Sequence, residues 1–154
     1  MMKKLYNLVI MIIFLMVTVV YTSCCEPVNS YPYSFDYNTL KSTVVYVELS
    51  YWENNHEEAI LYRLNEAELD IFLKDFSSIT YHLYFTPEYP WKYTVKLQYN
   101  DGSFELVSIY GGIKYDANGD VIQDAGGVPK TDEDRKQFAR LLMRYIEIDD
   151  SSLP

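Results

Sequence analysis

The stretch from Trp91 to Tyr110, WKYTVKLQYNDGSFELVSIY, constrains the fold more than any other. In its first half Tyr93, Val95, Leu97 and Tyr99 alternate with Lys92, Thr94, Lys96 and Gln98. A period of two, with aromatic and β-branched residues on one face, is the pattern of a half-buried strand. Asn-Asp-Gly-Ser then turns the chain back into FELVSIY, so the segment predicts a β-hairpin. Two registers compete. A two-residue Asp101-Gly102 loop pairs Tyr99 with Phe104, Leu97 with Leu106, and Gln98 with Glu105 outside. A three-residue loop sets Leu97 opposite Glu105. The first keeps the carboxylate off the apolar face and is the expected register, although it places Val107 and Ile109 on the outer face, where something must cover them.

Other strands and helices follow from the same periodicities. TVVYVELSY alternates, with Val45, Val47, Leu49 and Tyr51 on one face and Val44, Tyr46, Glu48 and Ser50 on the other. The polar loop WENNHEE leads into AILYRL, a second strand, and the two predict a hairpin. NEAELDIFLKDFSSI reads as a helix: Asn65 caps it, Glu68 completes a capping-box start, and Leu69, Phe72, Leu73 and Phe76 form one apolar stripe. TYHLYF is a strand, and GIKYDANGDVIQD a hairpin turning at Asn118-Gly119 through a type I′ turn. TDEDRKQFARLLMRYIEI is a closing helix, capped by Thr131, with three acids in its first turn, Arg140 and Arg144 further along, and Phe138, Leu141, Leu142 and Tyr145 facing inward. The order β-β-α-β-β-β-β-β-α predicts the α+β class: an antiparallel sheet of about five to seven strands with two helices packed on it.

The N-terminus has a different character. Lys3 and Lys4 precede an almost unbroken apolar run from Leu8 to Val20, after which come Tyr21-Thr22-Ser23-Cys24-Cys25. Thirteen residues span about 20 Å as a helix, less than a bilayer core of about 30 Å; counting from Leu5 to Tyr21 brings the run nearer to that span, and a retained, uncleaved anchor is the alternative. A charged start, a short apolar stretch and a small polar exit form the pattern of a secretory signal, and the lysines orient it. Tyr21-Thr22-Ser23-Cys24 resembles the lipobox of bacterial lipoproteins, with Tyr21 where leucine is usual and Ser23 as the small residue before the cysteine. The resemblance implies cleavage before Cys24, or alternatively Cys25, and diacylglycerol on its thiol. It covers the first 25 residues only. Acyl chains anchor stably when two or more act together. The rest of the chain has no cysteine, so neither thiol has a bridging partner there, and a lone vicinal pair lacks zinc-ligand spacing.

The expected organisation is therefore a signal at 1–23, a tether at 24–41 touching the domain through Tyr31, Tyr33, Phe35 and Tyr37, and one α+β domain at 42–149. The formal charge is −9, and removing the two lysines of the signal takes it to −11. Such a chain repels phosphates, which argues against nucleic acid as a partner.

Few constellations suggest chemistry. Asp116, Asn118 and Asp120 set oxygens at alternate positions as calcium loops do, but Val121 stands where an EF-hand loop has glycine and Gly127 where it has glutamate. YDANGDVI also resembles one unit of the YD repeats of bacterial surface proteins, and an ordinary turn is the simpler reading. His56 lies among Glu53, Glu57 and Glu58 without the HExxH pattern, because Ile60 takes the second histidine position. His82 is alone in a strand. No Gly-x-Ser-x-Gly elbow, Ser-x-x-Lys motif or phosphate loop occurs. YFTPEYPWKY sets aromatic residues around two prolines, and Tyr89 and Trp91 on a stiff loop would stack on sugar or grip a peptide. The expectation is a non-catalytic binding module, needing no cofactor, tethered by lipid to the membrane outside the cytoplasm and binding an envelope protein or glycan. The alternatives are an envelope enzyme working through carboxylates on peptide or glycan, and a module that masks or inhibits a partner.

Overall fold

The computed structural model describes residues 32–52, 59–85, 92–123 and 125–147. Among the described residues the fold is α+β, with two antiparallel sheets and three helices. The elements in chain order are β1 (Pro32–Tyr33), α1 (Tyr37–Thr43), β2 (Val44–Tyr51), β3 (Ile60–Arg63), α2 (Glu66–Ser77), β4 (Tyr81–Phe85), β5 (Tyr93–Tyr99), β6 (Phe104–Ser108), β7 (Gly112–Tyr115), β8 (Val121–Gln123), β9 (Ala125–Pro129) and α3 (Asp132–Met143). Six strands form a sheet in the order β3-β2-β5-β6-β7-β8, and three form a second in the order β1-β4-β9.

The two expected helices start where their capping residues place them. The Asn65 carboxamide oxygen accepts from the Ala67 and Glu68 N–H groups, and the Glu68 carboxylate accepts from Asn65 N–H, which satisfies donors at the open end of α2. Thr131 and Asp134 form the same box on α3. The apolar stripes of both turn inward: Phe72, Leu73, Phe76, Phe138, Leu141 and Leu142 are all buried. α3 ends at Met143, short of the predicted stretch, and Tyr145 and Ile146 follow in a turn. The sequence pattern did not show α1, a seven-residue helix capped by Asp36. Nor did it show β9, whose Ala-Gly-Gly-Val-Pro sequence is poor in strand formers. Both hold their shape through tertiary partners. Phe35, just ahead of α1, packs its ring 4.8 Å from those of Phe76 and Tyr81, while β9 is paired along its length with β4.

Three local expectations are corrected. Val45 does not share the inner face with Val47. The pairing of β2 with β5 shifts between Val44 and Tyr46, and this bulge turns Val44 into the core while leaving Val45 53% exposed. The β5–β6 hairpin adopts the other register: Leu97 stands opposite Glu105, Val95 opposite Val107 and Gln98 opposite Phe104. Its turn has three loop residues. Gly102 N–H donates to Tyr99 C=O, Tyr99 N–H donates to Ser103 C=O, and Gly102 takes φ +86°, the left-handed conformation open to glycine. This register brings Val107 and Ile109 into the core, where both are buried, so nothing is needed to cover them. Its consequence is a buried carboxylate at Glu105. The β7–β8 turn is also not type I′. Gly119 N–H donates to Asp116 C=O and Asp116 N–H to Asp120 C=O, so Ala117 and Asn118 are the central residues and Gly119, at φ +88°, follows them.

The sheets meet where side chains vanish. A Cβ on Gly112 would lie 2.7 Å from the Cα of Gly126, and one on Gly126 would lie 2.5 Å from the carbonyl carbon of Gly112. Backbone therefore rests directly on backbone between β7 and β9.

Candidate functional site

One cleft among the described residues has a volume of about 730 Å³. His82, Tyr84, Ile109, Tyr110, Val128, Asp132, Arg135 and Lys136 line it. Four parts of the chain supply them, and each is placed by a local rule. In β4 the alternation that buries Tyr81 in the core turns His82 and Tyr84 the other way. Val128 stands opposite His82 in β9 and extends the floor.

The link between β6 and β7 contributes Ile109 and Tyr110. The buried Ser108 hydroxyl accepts from the N–H groups of both Tyr110 and Gly111 at 3.0 Å, and Ser108 N–H donates to Gly111 C=O at 2.8 Å. This turn leaves Ile109 buried and Tyr110 51% exposed. The first turns of α3 carry Asp132, Arg135 and Lys136. They are fixed to β4 because Lys130 N–H donates to Thr80 C=O at 2.9 Å and Thr80 N–H donates to the Asp134 carboxylate at 3.3 Å.

Electrostatically the cleft runs against the rest of the chain, whose formal charge is −9. Among the described residues of the cleft, Arg135 and Lys136 face one acid, Asp132, which pairs with Arg135. His82 is held below its ordinary pKa, first by burial and then by the charges of Arg135 and Lys130, so it is neutral at neutral pH. Its Nδ1 is buried and has no hydrogen-bond partner among the described residues. Tyr84, 38% exposed, and Tyr110 give the cleft open aromatic surface.

A second cleft, of about 380 Å³, contains Glu105. This carboxyl is 2% exposed and accepts from the Tyr33 hydroxyl at 3.0 Å, the Tyr99 hydroxyl at 3.1 Å and the Gly127 N–H. Lys114 stands opposite it in β7. Burial raises its pKa above the usual carboxylate range, and the three hydrogen bonds and Lys114 offset part of that rise. A raised carboxyl in a cleft is the profile of a catalytic acid. Its donors come from β1, β5 and β9, so Glu105 joins the two sheets, and three of the roughly four acceptor positions of the carboxylate are taken by the protein itself.

Asp116, Asn118 and Asp120 come together in the β7–β8 turn. There the Asp116 carboxylate accepts from the N–H groups of Asn118 at 2.8 Å and Asp120 at 2.9 Å. These bonds, that from Asp120 foremost, hold its pKa below the ordinary range. The carboxylate is engaged in holding its own turn. Among the described residues no group of three or more His, Cys, Asp and Glu is set to hold a metal ion. Cys24, Cys25, His56, Tyr89 and Trp91 lie outside the described residues. Sequence reasoning treated His82 as a lone strand residue and passed over Tyr110, Arg135 and Lys136. The one local signal was the His82/Tyr84 alternation, which says two rings share a face but not what faces them.

No protein-family model, no curated protein and no solved structure matches the chain.

Proposed function

We propose that this protein is a lipid-anchored, non-catalytic binding module of the cell envelope, and that the cleft between β4, β9, the β6–β7 link and α3 holds its ligand. The cleft carries this reading. It gathers open tyrosine surface and basic side chains from three separate segments on an otherwise acidic chain, and concave sites with a few convergent polar groups are where ligands bind. The leader supports the location: its short apolar run, Leu8 to Val20, is followed closely by Cys24 and Cys25, the only cysteines in the chain. Among the described residues no helix is long and apolar enough to cross a membrane. An enzyme working through carboxylates has, among the described residues, one buried candidate, Glu105, and its hydrogen bonds to Tyr33, Tyr99 and Gly127 favour a structural role.

Two measurements on intact cells test this. An alkynyl fatty acid should label the wild type and a variant retaining one of the two cysteines, and label persisting in the C24A/C25A double variant ends the anchor assignment. A photo-crosslinking residue at Tyr110 should capture an envelope component that the same residue at Ile71, equally open on α2 at 59% exposure, does not. Equal capture at both positions, or none at Tyr110, removes the cleft as the binding site.

A further inference from the structure

We infer that the occupant of this cleft is an acidic saccharide, its carboxylate held by Arg135 and Lys136 and its ring laid against Tyr84 and Tyr110. The inference rests on the binding reading above and adds the ligand's chemistry.

Charge comes first. Among the described residues the cleft carries two fixed positive side chains against one carboxylate, so about one positive charge is left over while His82 is neutral. That balance suits a single carboxylate better than a doubly charged phosphate ester. Arg135 keeps further N–H donors beyond the one given to Asp132, and a planar guanidinium matches a carboxylate fork. Two other clefts lack this character: one contains Asp36, Asp101 and Glu105 against Lys114, the other Glu48 against Lys96.

Shape comes second. The open surface is aromatic, contributed by Tyr84 and Tyr110, over a floor of Ile109 and Val128. A sugar ring sets its C–H face on such rings and keeps its hydroxyls in water. A peptide bound as an added strand needs a free strand edge. At His82 the floor strand is paired on both flanks, with Pro32 of β1 and Val128 of β9, so the cleft presents side chains there instead.

The test uses the full chain in detergent and three probes: a short oligogalacturonate, its methyl ester, and a tetraglutamate peptide. Calorimetric titration should show binding of the acid, loss of that binding in the ester, and weakening as salt is raised. R135Q, K136Q and Y110A should each weaken the acid about tenfold, which corresponds to about 1.4 kcal/mol, with R135K falling between R135Q and the wild type. All three side chains are on the surface, and unchanged circular dichroism confirms that the variants fold. Equal binding of acid and ester overturns the inference, as does binding that is indifferent to R135Q and K136Q. Binding of tetraglutamate without the saccharide also overturns it, yet leaves the binding module standing if Tyr110 still crosslinks on cells. No binding by any probe overturns the saccharide assignment, and the crosslinking result then decides the broader reading independently.

Discussion

The Tyr33 hydroxyl donates to the Glu105 carboxylate at 3.0 Å across 72 residues of chain. With it, the second residue of a two-residue strand in the small sheet is tied to the middle of the large one. Tyr33 also packs edge-on against Phe35, with ring centroids 5.1 Å apart. Removing only its hydroxyl, in Tyr33→Phe, keeps that packing and takes one donor from a buried carboxyl. Stability should fall by about 1–3 kcal/mol. Urea unfolding measures this, and an unchanged midpoint would mean the bond does not matter to the fold.

Glu105 should give stability an unusual pH dependence. Its folded pKa is raised by burial, so the fold prefers the protonated acid. The resulting stabilisation is complete below the unfolded carboxyl pKa and is lost as pH rises through the folded one. Glu105→Gln stays neutral throughout. Relative to wild type it should therefore gain stability as pH rises from the ordinary carboxyl pKa towards the raised folded one, by at most about 1.4 kcal/mol per pH unit. The exposed Asp36, Asp70, Asp101 and Asp116 have lowered pKa values, which lose stability in the opposite direction, as pH falls through them. They are common to both proteins and cancel in the difference. Parallel stability curves for the two proteins would remove Glu105 as the source.

The sheet junction predicts that space outweighs backbone conformation. Gly126→Ala meets backbone atoms of Gly112 at 2.5–2.8 Å, which cannot swing aside. It should cost about 3 kcal/mol or more. Gly119→Ala has φ +88° but nothing within 4 Å, so only the left-handed penalty applies, about 1–2 kcal/mol. Thermal unfolding of both variants should rank them in that order; the reverse ranking would show that β7 and β9 do not touch as described.

The bulge in β2 separates two neighbouring valines. Val44→Ala, at 7% exposure, should cost about 2 kcal/mol. Val45→Ala, at 53% exposure, should stay within about 0.5 kcal/mol. Regular alternation, as the sequence alone suggests, would invert the two results.

What was legible in the sequence was local. The starts of α2 and α3 are set by side chains three residues apart, so Asn65 with Glu68 and Thr131 with Asp134 could be read directly. The alternation of β5 and of most of β2 is a property of each strand alone. With the order of elements, this was enough to give the α+β class and the antiparallel pairing.

Tertiary structure decided the rest, because each choice depended on a distant partner. Avoiding Glu105 on the apolar face selected the wrong hairpin register, since nothing within the hairpin shows that Tyr33 and Gly127 will reach that carboxylate from another sheet. β9 is a strand because β4 lies beside it, and its glycines are there because β7 and the rings of Tyr33 and Phe35 press against them. The cleft has the same origin. His82, Tyr110 and Arg135 follow separate local rules, and only the packing of α3 and the β6–β7 turn over the small sheet sets them around one space.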